Sequence, residues 1–309
     1  MKLLSITLLL GLLTGFIYGQ QTYVPDDNFE NYLETHDASG GLVSVGDANS
    51  MGNGIVNDDY VLTSRISNVT TLNVMDQYIA DLTGIEDFTA LQVLYCGLNQ
   101  LTSLDISQNT ALNELYCYYN QLTSLDVSHN TALSLLDCGH NQLTSLDISQ
   151  NITLESLDCN NNQLTSLNIL QNTGLQVLSC YYNQISGLDV TQNTNLHELY
   201  CYNNQITDLD LTQNTALQSF TCSQNQLTNL DMRNVDITSF TDFGATFNPN
   251  LTCVFVDDAN YMNTSWPNAI DATATYVETQ AQCDALSIDE SFKEQIQIYP
   301  NPFRDFLNI

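Results

Sequence analysis

From Leu91 onward, apolar and polar positions return in one fixed order every 21 residues, and the phrase begins again at Leu112, Leu133, Leu154, Leu175, Leu196 and Leu217. Each unit reads L-x-x-L-x-C-x-x-N-Q-[LI]-x-x-L-[DN]-hydrophobic and closes in a polar turn, as in LNELYCYYNQLTSLDVSHNTA over 112–132. Within L-x-x-L-x-C alternate residues share a face, so Leu115 and Cys117 point inward while Tyr116 and Tyr118 point outward. One unit is too small to cover its own apolar face. Stacked units bury it together, with parallel strands about 4.8 Å apart. The second half of each unit has its own inward-facing pair but is too short for a helix with its turns, which predicts extended chain, turns or a single 3-10 turn on the outer side. The expected fold is a β-rich solenoid with a parallel sheet on its concave face and an extended convex side.

A stack needs ends that differ from its middle. Val69–Ala90 is an irregular unit one residue longer, with Leu72, Val74, Ile79, Leu82 and Ile85 at the apolar places, and Thr238–Asp258 is a degenerate one. Before the array, Val24–His36 reads as a short amphipathic helix that covers the first rung, capped by Asp26 or Asp27 and apolar along Phe29, Tyr32 and Leu33. A Gly/Asn/Asp-rich loop (Gly40–Asp59) and a strand-like segment (Tyr60–Val74) follow. These signals divide the chain into a leader (1–20), an N-terminal cap (21–68), the solenoid (69–250), a C-terminal cap (251–283) and a linker with a tail (284–309). In the leader, Lys2 precedes an apolar run from Leu3 to Tyr18 that ends at Gly19, the form of a secretory signal and short for a span of ~20 residues. The mature chain is then expected to be exported, without a transmembrane segment, and monomeric.

Charge narrows the partners. Against 35 acidic residues stand five basic ones, a formal net charge of −30, and beyond the leader only Arg65, Arg233, Lys293 and Arg304 are basic. Such a surface repels phosphate backbones and anionic membranes, which excludes nucleic acid, and it admits cationic ligands, divalent ions and basic proteins.

The L-x-x-L-x-C-x-x-N-x-L phrase, seven times in register, resembles the leucine-rich repeat family, in particular the short-repeat proteins exported by Bacteroidetes-type bacteria. Ile79–Leu94 (IADLTGIEDFTALQVL) resembles the 22-residue repeats of internalin-like proteins. The ending IYPNP (298–302) followed by FLNI (306–309) resembles the start of a type IX secretion C-terminal sorting domain, of which only the first strand is present. The resemblance implies a leucine-rich repeat solenoid, secreted or held at the exterior of a Gram-negative outer membrane.

Four files of residues run along the repeats. Cys96, Cys117, Cys138, Cys159, Cys180, Cys201 and Cys222 share one inward position. Neighbours about 4.8 Å apart are too distant for a disulfide, whose Cβ atoms want about 3.8 Å, so the file reads as free thiols packed in the core, ahead of disulfides or a metal site. Cys253 and Cys283 stand outside that register and form the natural disulfide pair. The asparagines at 99, 120, 141, 162, 183, 204 and 225, and those at 109, 130, 151, 172, 193 and 214, are expected to satisfy backbone groups at the two bends. Asp105, Asp126, Asp147, Asp189, Asp210 and Asp231 form an acidic file interrupted by Asn168, which favours turn capping over a row of calcium sites.

The outward strand positions are the candidate ligand-binding set. Tyr95, Tyr116, Tyr118, Tyr119, Tyr181, Tyr182, Tyr200 and Tyr202 are eight of the 16 tyrosines, and Asp137, His140, Asp158 and Glu198 sit among them. Tyrosine gives rigid amphipathic contact area at low entropic cost, although it also favours strands for reasons of packing alone. The loop over 46–58 (GDANSMGNGIVND) only loosely follows a calcium-binding pattern, because Met51 stands where an oxygen is needed. Four histidines occur outside any nucleophile, zinc or phosphate-loop motif, and His140 beside Asp137 is the one pair with catalytic potential. No catalytic residue, metal ligand or cofactor is therefore assigned. The expected function is non-enzymatic recognition of a protein or glycan through a tyrosine-rich acidic concave surface. Alternatives are a structural surface adhesin or spacer and an acidic calcium-binding scaffold.

Overall fold

A computed structural model describes residues 19–286. The leader and the tail, including the sorting-domain resemblance, fall outside the described residues apart from a few positions at their inner ends. Nine short strands form one parallel sheet in strict sequence register. They are β3 (Thr71–Asn73), β4 (Val93–Tyr95), β5 (Glu114–Tyr116), β6 (Leu135–Asp137), β7 (Ser156–Asp158), β8 (Val177–Ser179), β9 (Glu198–Tyr200), β11 (Ser219–Thr221) and β13 (Asp242–Gly244). Each pairs with the equivalent residues of the next rung, so that Leu115, Leu136 and Leu157 lie side by side. From β4 to β9 the central leucine and the cysteine two residues on are buried, as at Leu115 and Cys117, with Phe220 and Cys222 in the same places at β11, and one continuous core runs the length of the solenoid.

Asparagine welds each rung to its neighbour. Asn120 Oδ1 accepts the N–H of Leu101, and its Nδ2 donates to the carbonyls of Cys96 and Cys117. The same bonds repeat at Asn141, Asn162, Asn183, Asn204 and Asn225. On the opposite bend Asn130 Nδ2 donates to the carbonyls of Ile106 and Asn109. These buried amides satisfy main-chain groups that water cannot reach. The aspartate file closes turns, with Asp126 accepting the N–H of Ser128 and Asp147 that of Ser149. Asn168 accepts the N–H of Leu170 in the same way, so acceptor chemistry is what the position requires. The seven file cysteines are free and buried, whereas Cys253 and Cys283 are bonded with their Cα atoms 5.9 Å apart.

The caps differ from simple expectation in two places. At the N-terminus β1 (Gln21–Tyr23) pairs antiparallel with β2 (Tyr60–Leu62), and α1 (Asp27–Thr35) lies between them in sequence, burying Phe29, Tyr32 and Leu33. Asp26 caps α1 through Asn28 and Phe29, and its other oxygen accepts the N–H groups of Ala80 and Asp81, tying the cap to the first rung. The segment 60–74 is not one strand, because α2 (Thr63–Ile66) interrupts it. That turn lets Ile66 enter the core. The loop over 46–58 is held by the buried Glu34, which accepts from Asn53 and Gly54, and by Arg65, which donates to the carbonyls of Asp47, Ser50 and Gly52. Met51 belongs to the core.

At the other end part of the expected extended convex chain is hydrogen-bonded into strands. A second parallel sheet joins β10 (Asp208–Asp210), β12 (Asn229–Asp231), β14 (Cys253–Phe255) and β15 (Thr275–Val277), and α3 (Ala259–Ser265) packs beside it. The outer half-repeats straighten into strands only where β14 and β15 continue the ladder.

Candidate functional site

Every regular rung presents three residues on the open face of the sheet and a fourth at the turn that follows. The third strand residue gives the row Tyr95, Tyr116, Asp137, Asp158, Ser179 and Tyr200, each paired in register with the next. Two residues further on stand Gly97, Tyr118, Gly139, Asn160, Tyr181 and Tyr202. Glu198 opens β9 on the same face, and its carboxylate accepts the Tyr200 hydroxyl at 3.0 Å, as Glu114 accepts that of Tyr116 at 3.1 Å. The structure thus gathers all twelve candidate residues on one side.

The rings are organised. Tyr95 and Tyr116 stack with centroids 4.5 Å apart, and Tyr181 and Tyr202 stack at the same distance. Tyr182 meets both members of the second pair edge-on, and Tyr119 meets Tyr118 edge-on. Two aromatic walls result, separated by the carboxylates of Asp137 and Asp158. Tyr118 lies over Gly97, where a Cβ would approach its ring to 3.0 Å, and its hydroxyl reaches Met75 Sδ at 3.3 Å. Gly97 is therefore required for the ring to lie flat on the sheet. Asn160 leans over Gly139 in the same manner.

Electrostatics divide the strip. Burial, reinforced by Asp158 in the next strand, pushes the Asp137 carboxyl up to about 6. Burial also raises Asp158, opposed by hydrogen bonds from Asn160 and by nearby His140. The phenols of Tyr116 and Tyr181 are pushed up to about 12, chiefly by burial and then by carboxylates or phenols beside them. They stay neutral donors at physiological pH. His140 stacks on Tyr119 at 3.9 Å and lies 3.4 Å from Asn161 Nδ2. Among the described residues it makes no hydrogen bond with Asp137, the residue paired with it from sequence.

A further row was hidden in the sequence. The residue before each ladder asparagine has a left-handed backbone, including Leu98 (φ 57), Tyr119 (φ 51), His140 (φ 52), Asn161 (φ 50), Tyr182 (φ 52) and Phe247 (φ 59). Glycine or asparagine adopts this conformation most readily, whereas bulky side chains are strained there. Leu98, Tyr119, Tyr182 and Phe247 are nevertheless substantially exposed. Leu98 and Phe247 extend the candidate face beyond the residues that alternation pointed to. Only knowledge of the turn geometry would have marked them.

A family model for leucine-rich repeats (two copies) matches residues 194–234. Internalin J of Listeria monocytogenes serotype 4b (strain F2365) is 41% identical over 51 residues, which are 16% of this chain and 6% of that protein. The solved functional domain of InlJ from Listeria monocytogenes, described as including a cysteine ladder, superposes with a TM-score of 0.57 at 33% identity, covering 78% of this chain and 58% of that one. The fold is a leucine-rich repeat solenoid. Internalin C2 of Listeria monocytogenes 4b F2365 shares that fold at 21% identity, with a TM-score of 0.57 over 77% of this chain and 99% of its own. The chain thus spans little more than half of the InlJ domain and a small part of the curated Internalin J. The buried file from Cys96 to Cys222 gives this solenoid a cysteine ladder of its own. No described helix is long and apolar enough to cross a membrane.

Proposed function

We propose that this is an exported, cell-surface or secreted recognition protein that binds a protein partner on its concave face and performs no catalysis. One observation carries the reading. Large rings stand exposed in strained left-handed positions on that face, at Tyr119 and Tyr182, where asparagine occupies the equivalent place at Asn161 and Asn203. Strain of about 1–2 kcal/mol per residue is retained at positions where the ring does not enter the core, and strained outliers of this kind cluster at ligand-contacting surfaces. The similarity to internalin repeats supports the same reading, as does the suitability of tyrosine for contact surfaces.

The test is a double replacement, Tyr118→Ser with Tyr181→Ser, in the secreted chain. Capture of surface proteins by chemical cross-linking, and attachment to cells, should both fall at least tenfold. If neither changes, the solenoid acts as a spacer and the concave-face reading is wrong. Retention on a glycan array that is lost in the same variant would replace the protein partner by a carbohydrate.

A further inference from the structure

Between the two aromatic walls, the strip made by β6 and β7 has a chemistry of its own. Asp137 and Asp158 are paired in register on adjacent strands, and like charges placed directly opposite are destabilising. Asp137 accepts one hydrogen bond among the described residues, the Gly139 N–H at 3.2 Å. Among the described residues Asp158 accepts from the main chain and side chain of Asn160. Neither carboxylate pairs with a lysine or arginine among the described residues, and the one titratable base near them is His140, beside Asp158. Arg65 is occupied by loop carbonyls and Arg233 by Asp231 beneath the second sheet. A cation brought by another molecule would offset the repulsion that His140 and the Asn160 and Gly139 hydrogen bonds leave in place.

We propose that the strip floored by Asp137 and Asp158, with Tyr118 on one side and Tyr181 and Tyr202 on the other, takes a lysine or arginine side chain from an extended segment of the partner polypeptide. The proposal rests on the recognition reading above and supplies its chemistry. Tyrosine faces attract ammonium and guanidinium groups through the ring quadrupole, and the carboxylates attract them through charge and hydrogen bonds. Burial is the main cause that raises the phenols of Tyr118, Tyr181 and Tyr202, and Asp137 adds to the first and Asp158 to the other two, so rings and carboxylates form one cluster. A calcium ion would want six to eight oxygen ligands, roughly, and the aromatic walls supply ring faces in their place. Two features favour a polypeptide over a free polyamine. The face is an unbroken sheet nine strands wide, which suits an extended chain, and the walls recur on both sides of the charged strip.

The experiment uses the full secreted chain at physiological ionic strength, with pentalysine and pentaarginine peptides as probes and spermine and calcium chloride as comparisons. Titration calorimetry is run on the parent, on Asp137→Asn/Asp158→Asn, and on Asp189→Asn/Asp210→Asn. The last pair removes the same charge from the convex file, where Asn168 shows that asparagine serves. The first pair should weaken peptide binding at least tenfold and the second less than twofold. Equal losses in both would mean diffuse acidity and would overturn the proposal, as would binding of calcium or spermine in preference to the peptides. Should the asparagine pair fail to fold, Ser179→Lys serves instead, since Ser179 pairs with Asp158 and a lysine there would occupy the strip from within. Peptide binding unchanged by Ser179→Lys would equally overturn it. If the peptides fail this test while Tyr118→Ser/Tyr181→Ser still abolishes capture of the surface partner, the concave-face reading stands and only its cationic chemistry falls.

Discussion

Asp137 sits directly opposite Asp158 across β6 and β7, at the middle of the nine-stranded sheet, where burial and then repulsion from Asp158 both disfavour its charged form. That arrangement makes stability depend on pH in a defined direction. The folded carboxyl of Asp137 titrates near 6, above the ordinary value of 3.8, so between these values the native state keeps a proton that the unfolded chain has released. Stability supplied by that proton is fully present below the ordinary value of 3.8 and is lost progressively as pH rises through about 6. A shift of roughly two units corresponds to at most about 3 kcal/mol, and partial solvent access reduces it. Asp137→Asn should therefore raise stability by about 1–2 kcal/mol at pH 7.5 and by almost nothing at about pH 3, read from urea midpoints. An equal gain at both values would contradict the assignment. The exposed turn aspartates, such as Asp126 and Asp147, are held low by hydrogen bonds and act in the opposite sense, so the comparison is made between variants and not along one curve.

The asparagine ladder yields a prediction about cooperativity. Asn141 accepts from Leu122 and donates to Cys117 and Cys138, all of them buried groups. Asn141→Ala strands three main-chain groups and should cost about 3 kcal/mol or more, at about 1–3 kcal/mol per buried unsatisfied group. Asn161→Gly, one rung along at the turn surface and compatible with the left-handed backbone there, should cost less than about 1 kcal/mol. Denaturant unfolding of the two variants separates them.

Backbone strain at the left-handed row can be relieved at one position. Leu98 is 42% exposed, and asparagine occupies the equivalent place at Asn161 and Asn203. Leu98→Asn should stabilise the protein by about 1 kcal/mol. A melting temperature that falls would show that Leu98 makes packing contributions exceeding its strain.

The cysteines should behave as core atoms. Burial raises the thiol of Cys96 to about 12, and that of Cys159 well above its ordinary value. A thiol reagent should leave all seven unmodified in the native protein and reach all seven in denaturant. Cys159→Ser should destabilise more than Cys159→Ala, because a hydroxyl would be buried among leucines. Rapid native labelling at any of them would place that rung open to solvent.

Much of the solenoid was legible because its information is periodic. Alternation around Leu115 and Cys117 defined inward and outward faces, and repetition fixed the register without any long-range guess. Asn168 within the aspartate file told in advance that the position needs an acceptor. The second sheet was not legible, because Leu209 and Leu230 follow the same pattern as Leu125 and Leu146, which lie in irregular chain. What makes the difference is β14 and β15 lying alongside, a tertiary fact. The left-handed row stayed hidden for a related reason. Tyr119 and His140 carry no glycine signal, and their conformation is imposed by the asparagine that follows them.

Main-chain and asparagine hydrogen bonds within the array reach only to the adjacent rung, at separations such as 19, 21 and 24 residues. The width of the acidic strip is therefore set by counting units. Excising residues 133–153 would join Ala132 to Leu154 with the phrase intact, bring Tyr116 alongside Asp158, and leave one carboxylate between walls drawn together by about 4.8 Å. Adding a copy of the same unit would move the walls apart by the same step. The spacing of the surface is a dial with whole-number settings, turned by gain or loss of a repeat and needing no redesign of the core.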